Sequence, residues 1–241
     1  MGSDKAPRRV LHTSDLHLAS RNPKSHQSLV ALVNLANHAT VDLVIIVGDL
    51  FDHNQVNDNL VGFVVEQLRA LSMPVAILPG NHDCLVPDSV FNRNDFWQGS
   101  DNIHVFRSPS GEIMDLPDQG IMLWGKSIDS YERNLLPLEG IPHPQSDGRW
   151  HIALAHGYFV NADPPLFPSY HITCEEIINS GWDYVAMGHS TGFQCVCDGP
   201  VTAYYSGSPT VSGAVALVDF AEGTGVRVTA CPLENSTQNS Q

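Results

Sequence analysis

The sequence predicts an α/β protein in which two packed β-sheets lie between outer layers of helices. Residues 44–47 form a run of β-branched side chains, which is typical of a strand buried on both faces. Strand and amphipathic-helix patterns alternate over residues 10–78, an order that favours parallel strands joined by right-handed crossovers. Short strand patterns between residues 103 and 231 supply a second sheet. We therefore expect a four-layer α-β-β-α sandwich of two mixed sheets flanked by helices.

The first half of the chain carries the clearest patterns. Apolar residues recur at helical spacing in two segments, and the runs that flank these segments are short and apolar. The predicted helices are 25–38 and 60–71, and the predicted strands are 10–13, 42–47 and 74–78.

The second half is richer in turn residues. A helix is predicted to begin near Thr173, because a threonine cap is followed by Glu175 and Glu176 in the first turn. Residues 136–149 are rich in proline and glycine and are predicted to be a surface loop. The predicted strands are 103–106, 113–116, 121–124, 151–155, 183–187, 193–197, 202–206, 214–220 and 226–231.

No internal repeat or long linker divides the chain, so we expect one domain over residues 10–232. A loose segment, 1–9, is expected before it, and a polar tail, 233–241, after it. Five cysteines are an odd number in a chain too long to need disulfide staples, and they predict reduced thiols. The sequence shows no signal peptide or membrane span, and we expect a cytoplasmic protein.

The charge of the chain bears on its partners. Twelve basic and 26 acidic side chains give a net charge of −14 with histidine neutral. Such a surface repels polyanions and supplies little charge to neutralise phosphates, which makes tight binding to long nucleic acid doubtful. The charge leaves open a phosphate ester that is held through bound cations.

Side chains of metal-ligand type follow five of the predicted strands. Carboxylate, amide and imidazole groups suit Mn, Fe, Zn or Co better than calcium, which prefers cages of oxygen. Two divalent cations about 4 Å apart repel and need a bridging carboxylate, and Asp49, at the end of the buried strand, is the natural bridge. The motif residues are Asp15, His17, Asp49, Asp52, Asn81, His82, Asp83, His156 and His189.

In the order and spacing of these motifs, residues 10–210 resemble the calcineurin-like metallophosphoesterases. The residues of three segments are most similar to those of the SbcD-like branch of DNA-repair exonucleases. These segments are His12-Thr13-Ser14-Asp15-Leu16-His17-Leu18, Gly48-Asp49-Leu50-Phe51-Asp52 and Tyr205-Ser206-Gly207-Ser208-Pro209.

The resemblance implies a role for each motif residue. The first metal would be bound by Asp15 and His17, with Asp49 as the bridge to the second metal. The second metal would be bound by Asn81, His156 and His189. The catalytic group would comprise His82, which protonates the leaving oxygen, Asp83, which orients it, and Asp52, which holds a loop or a ligand histidine. For Asp52 and Asp83 the alternative is a carboxylate that only stabilises a turn.

One position departs from the family pattern. The last motif of the family is usually Gly-His-x-His, and its second histidine binds the first metal, but this chain has Thr191 there. A neutral hydroxyl is a poor ligand for a divalent ion, so we expect the first metal to bind weakly. His53 lies near the second motif and could replace the missing histidine as a ligand of the first metal. We favour the alternative that His53 is an exposed loop residue with no role in metal binding.

We expect a dinuclear metal-dependent phosphoesterase that hydrolyses a phosphodiester by attack of a metal-bound hydroxide, with two divalent ions, manganese favoured. A small nucleotide or phosphodiester is favoured over long DNA, both by the charge and because the sequence leaves no room for the extra domain with which such exonucleases grip DNA. The alternative is a catalytically degraded scaffold of the same fold that binds protein partners, an interpretation supported mainly by Thr191.

Overall fold

A computed structural model describes residues 5–161 and 168–233 of the chain. The helices are α1 (Pro23–His38), α2 (Asp58–Arg69), α3 (Asn94–Trp97), α4 (Cys174–Ser180) and α5 (Pro209–Ser212), with a 3-10 turn at Val90–Asn92. The strands are β1 (Arg8–Thr13), β2 (Leu43–Val47), β3 (Val75–Leu78), β4 (Ile103–Val105), β5 (Glu112–Leu116), β6 (Ile121–Gly125), β7 (Trp150–His156), β8 (Tyr158–Val160), β9 (His171–Thr173), β10 (Tyr184–Gly188), β11 (Gln194–Asp198), β12 (Thr202–Tyr205), β13 (Ala214–Ala221) and β14 (Gly225–Pro232).

Two six-stranded mixed sheets form the centre of the fold. The first has the order β14-β13-β1-β2-β3-β4. Strands β1 to β4 are parallel to one another, and β13 pairs antiparallel with β1 on one side and with β14 on the other. The second has the order β11-β12-β10-β7-β6-β5, with a parallel centre and an antiparallel strand at each edge. The mixed two-sheet fold is confirmed.

Three apolar layers hold the sheets and helices together. Strand β2 shows how, because Val44 and Ile46 face the layer shared with α1 and α2, whereas Ile45 and Val47 face the layer between the sheets. A third layer lies between the second sheet and α4, where Trp182 and Ile177 are buried. Burial on both faces explains why β2 is apolar at every position.

The sheets meet at the carboxyl ends of their parallel strands. The Nδ1 atom of His156, the last residue of β7, lies 2.9 Å from the carbonyl oxygen of Val47 at the end of β2. A Cβ on Gly188, the last residue of β10, would lie 1.8 Å from the same oxygen. The loops that follow β1, β2, β3, β7 and β10 therefore emerge into one region.

The structure packs part of the amino-terminal segment that was predicted to be loose. Strand β1 begins at Arg8 and pairs with β13. The Lys5 ammonium pairs with Asp183 at 2.8 Å and lies 4.5 Å from the centre of the Trp150 ring. These contacts join residues far apart in sequence, so local composition did not indicate them. The short elements α3, α5, β8, β9 and the 3-10 turn were also absent from the sequence prediction.

The predicted capping of α4 is confirmed. Thr173 accepts a hydrogen bond from the Glu176 amide, and the Glu176 carboxylate accepts one from the Thr173 amide. All five cysteines are free. Among the described helices, none combines the length and apolarity needed to cross a bilayer. Residues 234–241, most of the predicted polar tail, lie outside the described residues, and the single-domain assignment stays a prediction.

Candidate metal centre

The loops at the joined sheet edges are held in an unusual backbone conformation. Positive φ angles occur at Asp15 (54°), His17 (46°), Asp49 (52°) and His189 (94°). Such conformations cost a non-glycine residue on the order of 1–3 kcal/mol each and persist only where the surroundings enforce them. The first two motifs enforce them together, since the amides of Asp15 and His17 donate to the carbonyls of Gly48 and Asp49, each at 3.0 Å. The strain therefore lies in the segments that carry the metal-ligand types.

Three motif glycines are required by close approach. A Cβ on Gly48 would lie 1.9 Å from His156 Nδ1, and one on Gly80 would lie 2.2 Å from Asp49 Oδ1. A Cβ on Gly188 would overlap the Val47 carbonyl oxygen. Distances below 3.0 Å cannot be accommodated without movement of the backbone or of a buried ring. The glycines therefore allow the loops to approach closely enough for their neighbours to meet.

The carboxylates of Asp15 and Asp49, both almost fully buried, are oriented in the same way. One oxygen of each accepts a backbone hydrogen bond from a histidine, Asp15 Oδ2 from His189 at 3.0 Å and Asp49 Oδ1 from His82 at 2.9 Å. The other oxygen of Asp49 lies 3.4 Å from His156 Nε2 and 3.8 Å from His17 Nε2. A single carboxylate oxygen thus faces imidazoles from two sides of the site.

The tautomer of His156 is fixed by the fold. Its Nδ1–H donates to the Val47 carbonyl, so a neutral ring carries its lone pair on Nε2. That nitrogen faces Asn81 Oδ1 at 3.1 Å, His189 Nδ1 at 3.3 Å and Asp49 Oδ2 at 3.4 Å. Where these atoms all present lone pairs, a proton or another cation among them stabilises their convergence.

The donor set fits a metal ion. Ligand atoms about 2.1 Å from a metal and at right angles to each other lie about 3 Å apart, close to the separations around His156 Nε2. Asn81 Oδ1 also lies 2.9 Å from His189 Nδ1. The ligating atoms of Asp49, His156 and His189 all lie within 4.8 Å of one another, as do those of Asp49, His17 and His82. Asp49 belongs to both groups.

The electrostatics of the site favour an added positive charge. Within the described residues, the ion pairs of Asp15 and Asp49 are all with histidine. Burial opposes a charged His156 ring, but the Asp49 and Asp15 carboxylates outweigh burial and raise the pKa of His156 to about 9. Burial raises the pKa of Asp15, and the Asp49 charge adds to that effect. Burial, with the neighbouring His156 charge, lowers the pKa of His189 to about 4.

The group around His17 is looser than the group around His156. His17 Nε2 lies 4.0 Å from Asp15 Oδ1 and 3.8 Å from Asp49 Oδ2. On the other side of the ring, His17 Nδ1 lies 3.3 Å from the Asp52 carboxylate but makes no hydrogen bond to it, so the role of Asp52 in holding a ligand histidine stays a prediction. Thr191 is exposed. His53, the considered substitute, is an exposed loop residue as favoured.

The contacts of Asp83 favour the turn-stabilising alternative over a role in orienting His82. Its carboxylate is fully buried and accepts hydrogen bonds from the amides of Phe51 at 3.0 Å and Gly80 at 2.7 Å. The His82 ring is instead held through Nδ1 by the backbone carbonyl of Asp52 at 2.9 Å. Asp83 therefore joins the second and third motif loops, and a nearby backbone carbonyl orients the His82 ring. Burial and the Asp49 charge raise the pKa of Asp83 to about 7.

Several residues at the site were not singled out from the sequence. Tyr170 is buried with its ring centre 6.2 Å from that of His189, and its amide donates to the Arg133 carbonyl. The ring of Tyr158, 55% exposed, lies 6.5 Å from His189. Ser208, after β12, donates to the Asp15 carbonyl at 2.6 Å. Ser208 lies in a segment that resembles the family and follows a parallel strand as the motif residues do, but serine is not a metal-ligand type, so the sequence predicts no role for it.

Imidazole, carboxylate and amide donors at the joined edges of two packed mixed sheets define a candidate divalent-metal site in an α/β protein. A family model of the calcineurin-like phosphoesterases matches residues 8–192. The chain therefore belongs to the calcineurin-like phosphoesterase family. It is similar to the uncharacterized metallophosphoesterase YhaO of Bacillus subtilis strain 168, with 26% identity over 206 residues, 74% of this chain and 47% of the relative. The chain thus spans about half the length of this curated relative.

Solved structures share the fold. The protein TT1561 of Thermus thermophilus is 12% identical, has a TM-score of 0.62 and matches 93% of this chain and 99% of its own. A dimetal phosphatase from Danio rerio is 13% identical, has a TM-score of 0.59 and matches 94% of this chain and 99% of its own. These likenesses, at such low identity, confirm the architecture.

Gly188→Ala should destabilise the protein and Gly192→Ala should not. The new Cβ at position 188 would overlap the Val47 carbonyl oxygen, whereas a Cβ at position 192 has no neighbour within 4 Å. We expect Gly188→Ala to lower the free energy of unfolding by about 3 kcal/mol, and the matched variant to stay within about 0.5 kcal/mol of the parent. Urea denaturation measures both, and equal midpoints for the two variants would contradict the close approach described above.

Metal binding at the His156 group should release a proton. With a pKa of about 9 the metal-free ring is charged at neutral pH, and a metal must displace that proton from Nε2. We expect the affinity for Mn²⁺ to rise about tenfold per pH unit between about pH 6.5 and 8. Calorimetric titration in two buffers of different ionisation enthalpy measures the release. The His156→Asn variant should lose the proton release, and His143→Ala, which changes a distant exposed histidine, should keep it. A pH-independent Mn²⁺ affinity in the parent would refute this assignment.

Proposed function

We propose that the protein is a two-metal phosphodiesterase acting on small phosphodiesters or nucleotides. The observation that carries the proposal is the convergence of His189 Nδ1, Asn81 Oδ1 and Asp49 Oδ2 on His156 Nε2 at 3.1–3.4 Å, a donor set that a divalent cation fits. The second observation is that the same Asp49 oxygen also faces His17 at 3.8 Å. Membership of the calcineurin-like phosphoesterase family supports the reaction class.

In this proposal each motif residue has a defined task. Bound divalent ions would acidify a water molecule and neutralise the charge of the phosphate oxygens. The second ion would be held by Asn81, His156 and His189, the first by Asp15 and His17, and Asp49 would face both. Among candidate ions, manganese is favoured over iron, zinc and cobalt.

His82 is proposed as the general acid. It is exposed at the cleft, and its Nδ1–H donates to the Asp52 carbonyl, which leaves Nε2 free for a second contact. Its ring packs edge-to-face against His17, with the ring centres 4.7 Å apart. A ring held in this way beside both proposed metal positions can pass a proton to the leaving oxygen of a bound ester.

The proposed substrate class is based on the net charge of the chain and on two exposed residues near His189, Arg133 and Tyr158. An excess of acidic over basic residues disfavours long polyanions. Burial is the main cause of the lowered pKa of His189, and the positive charge of the exposed Arg133 lowers this pKa further. Arg133 is therefore close enough to the site to influence its charges electrostatically. Tyr158 presents an exposed ring beside His189. We propose that Arg133 contacts a phosphate oxygen and that Tyr158 packs against an aromatic ester group, such as a nucleobase.

Two substrates separate the tasks of Asp49 and His82. Bis-p-nitrophenyl phosphate releases a stable anion that needs no proton, whereas a dinucleoside monophosphate releases an alkoxide that does. With Mn²⁺ supplied, we expect His82→Ala to keep its metal and to lose about 10²- to 10⁴-fold in kcat on the dinucleotide, with a smaller loss on the aryl ester. Asp49→Asn should lose metal and activity on both substrates, and His143→Ala should match the parent. Steady-state rates and metal content by mass spectrometry are the measurements.

The same experiment tests the alternative of a degraded scaffold. A parent protein that retains less than one metal per chain and turns over neither substrate at millimolar Mn²⁺ would exclude the phosphodiesterase. A search for protein partners would then follow, because the exposed Thr191 favours a scaffold in that case. Equal losses on both substrates in His82→Ala would remove only the general-acid role.

Arg133→Ala should affect substrate binding more than chemistry. We expect KM for the dinucleotide to rise about tenfold with little change in kcat, the scale of one charge-assisted hydrogen bond in a partly exposed site. The effect should shrink at high salt because the contact is screened. Arg227→Ala, on the edge strand β14, is the matched control. A fall in kcat at unchanged KM would contradict this role.

A further inference from the structure

Three hydroxyl residues after β12 hold the loop that carries Asp15 and His17. Ser208 Oγ donates to the Asp15 carbonyl at 2.6 Å, and Thr210 Oγ1 donates to the Leu16 carbonyl at 3.0 Å. Ser206 Oγ lies 3.0 Å from Ser14 Oγ. We call Ser206, Ser208 and Thr210 the hydroxyl brace.

The brace acts on a segment that contains two residues with strained backbone conformations. Asp15 and His17 both have positive φ, and the carbonyls of Asp15 and Leu16 that lie between them accept the two brace hydrogen bonds. The second motif holds this segment from the other side, through the Asp15 and His17 amides. Ser206 and Ser208 are almost fully buried, so water does not replace their hydrogen bonds.

The brace also reaches the motif that departs from the family pattern. The Ser208 amide donates to the Thr191 carbonyl at 3.1 Å, so one residue contacts both the first and the last motif. The His17 group has separations of 3.8–4.0 Å and lacks a histidine at position 191, so few side chains define it. A site with few ligands depends more on how well each is held before the ion arrives.

We propose that the hydroxyl brace sets the affinity of the first metal, by holding the Asp15–His17 loop in its strained ligand-binding conformation. The inference rests on the two-metal site of the proposed function. The brace residues are positioning residues, since they act through the carbonyls of the loop and touch neither the metal nor the substrate. The hydroxyl brace thereby restores part of the affinity for the first metal that is lost because position 191 holds threonine and not histidine.

Mn²⁺ binding, followed by loss of the free-ion electron paramagnetic resonance signal, tests the proposal without any turnover. The parent should show a tight and a weak event, and His17→Ala should abolish the weak one, which assigns it to the first site. Ser208→Ala and Thr210→Val should weaken that event by about 10- to 100-fold and leave the tight event unchanged. Thr210→Ser keeps the hydroxyl and should retain the parent affinity.

Ser127→Ala is the matched control for lost stability. Ser127 is also fully buried and donates to a carbonyl, that of Phe106, at 2.8 Å, outside the metal centre. Circular dichroism verifies that each variant is folded, and the half-buried Thr210 keeps the test open if Ser208→Ala does not fold. If the weak Mn²⁺-binding event is unchanged in the folded brace variants, or if both binding events shift equally, the inference about the brace is wrong, but the two-metal site is unaffected. A parent that binds no Mn²⁺ would overturn the two-metal site itself.

Discussion

Buried negative charge that no lysine or arginine among the described residues neutralises is the constraint on which this structure depends. Asp15 and Asp49 lie almost fully buried where the two sheets meet, and histidine supplies all their ion pairs in the described part of the chain. Isolated buried carboxylates are costly unless a cation compensates them. The raised pKa of His156 shows the same demand, since the pocket retains a proton on that ring where a metal is absent. The fold is thus built around a positive charge that the described residues supply only in part.

Much of this arrangement could be predicted from the sequence because it follows from strand ends. Parallel strands place their carboxyl ends at one edge, so metal-ligand types after several apolar runs had to come together. Asn81, His189 and Asp49 each bring a ligand atom within 3.4 Å of His156 Nε2. The same reasoning left two roles open for Asp83, because a carboxylate that stabilises two loops through backbone amides has the same sequence appearance as one that orients a neighbouring histidine.

Other features depended on partners distant in sequence. Nothing near Lys5 indicates Asp183 or Trp150, and nothing near Ser208 indicates the Asp15 carbonyl. Serine after a strand is ordinary in a turn, so its composition suggests no task. The positive φ angles of Asp15, His17 and Asp49 are likewise imposed by the pairing of two loops. Tertiary contacts therefore determine what local sequence leaves open: the conformation in which each donor is presented.

The brace has a consequence for how the protein is made. Ser208 and Asp15 are 193 residues apart, so the loop that carries the first motif stays without its second support until almost the whole described chain has left the ribosome. At a synthesis rate of about 5–20 residues per second, the interval lasts on the order of ten seconds or more. The His156 group needs residues only as far as His189 and can assemble earlier. Metal loading during biosynthesis would then be ordered in time, with the tighter site formed while the weaker one is still incomplete.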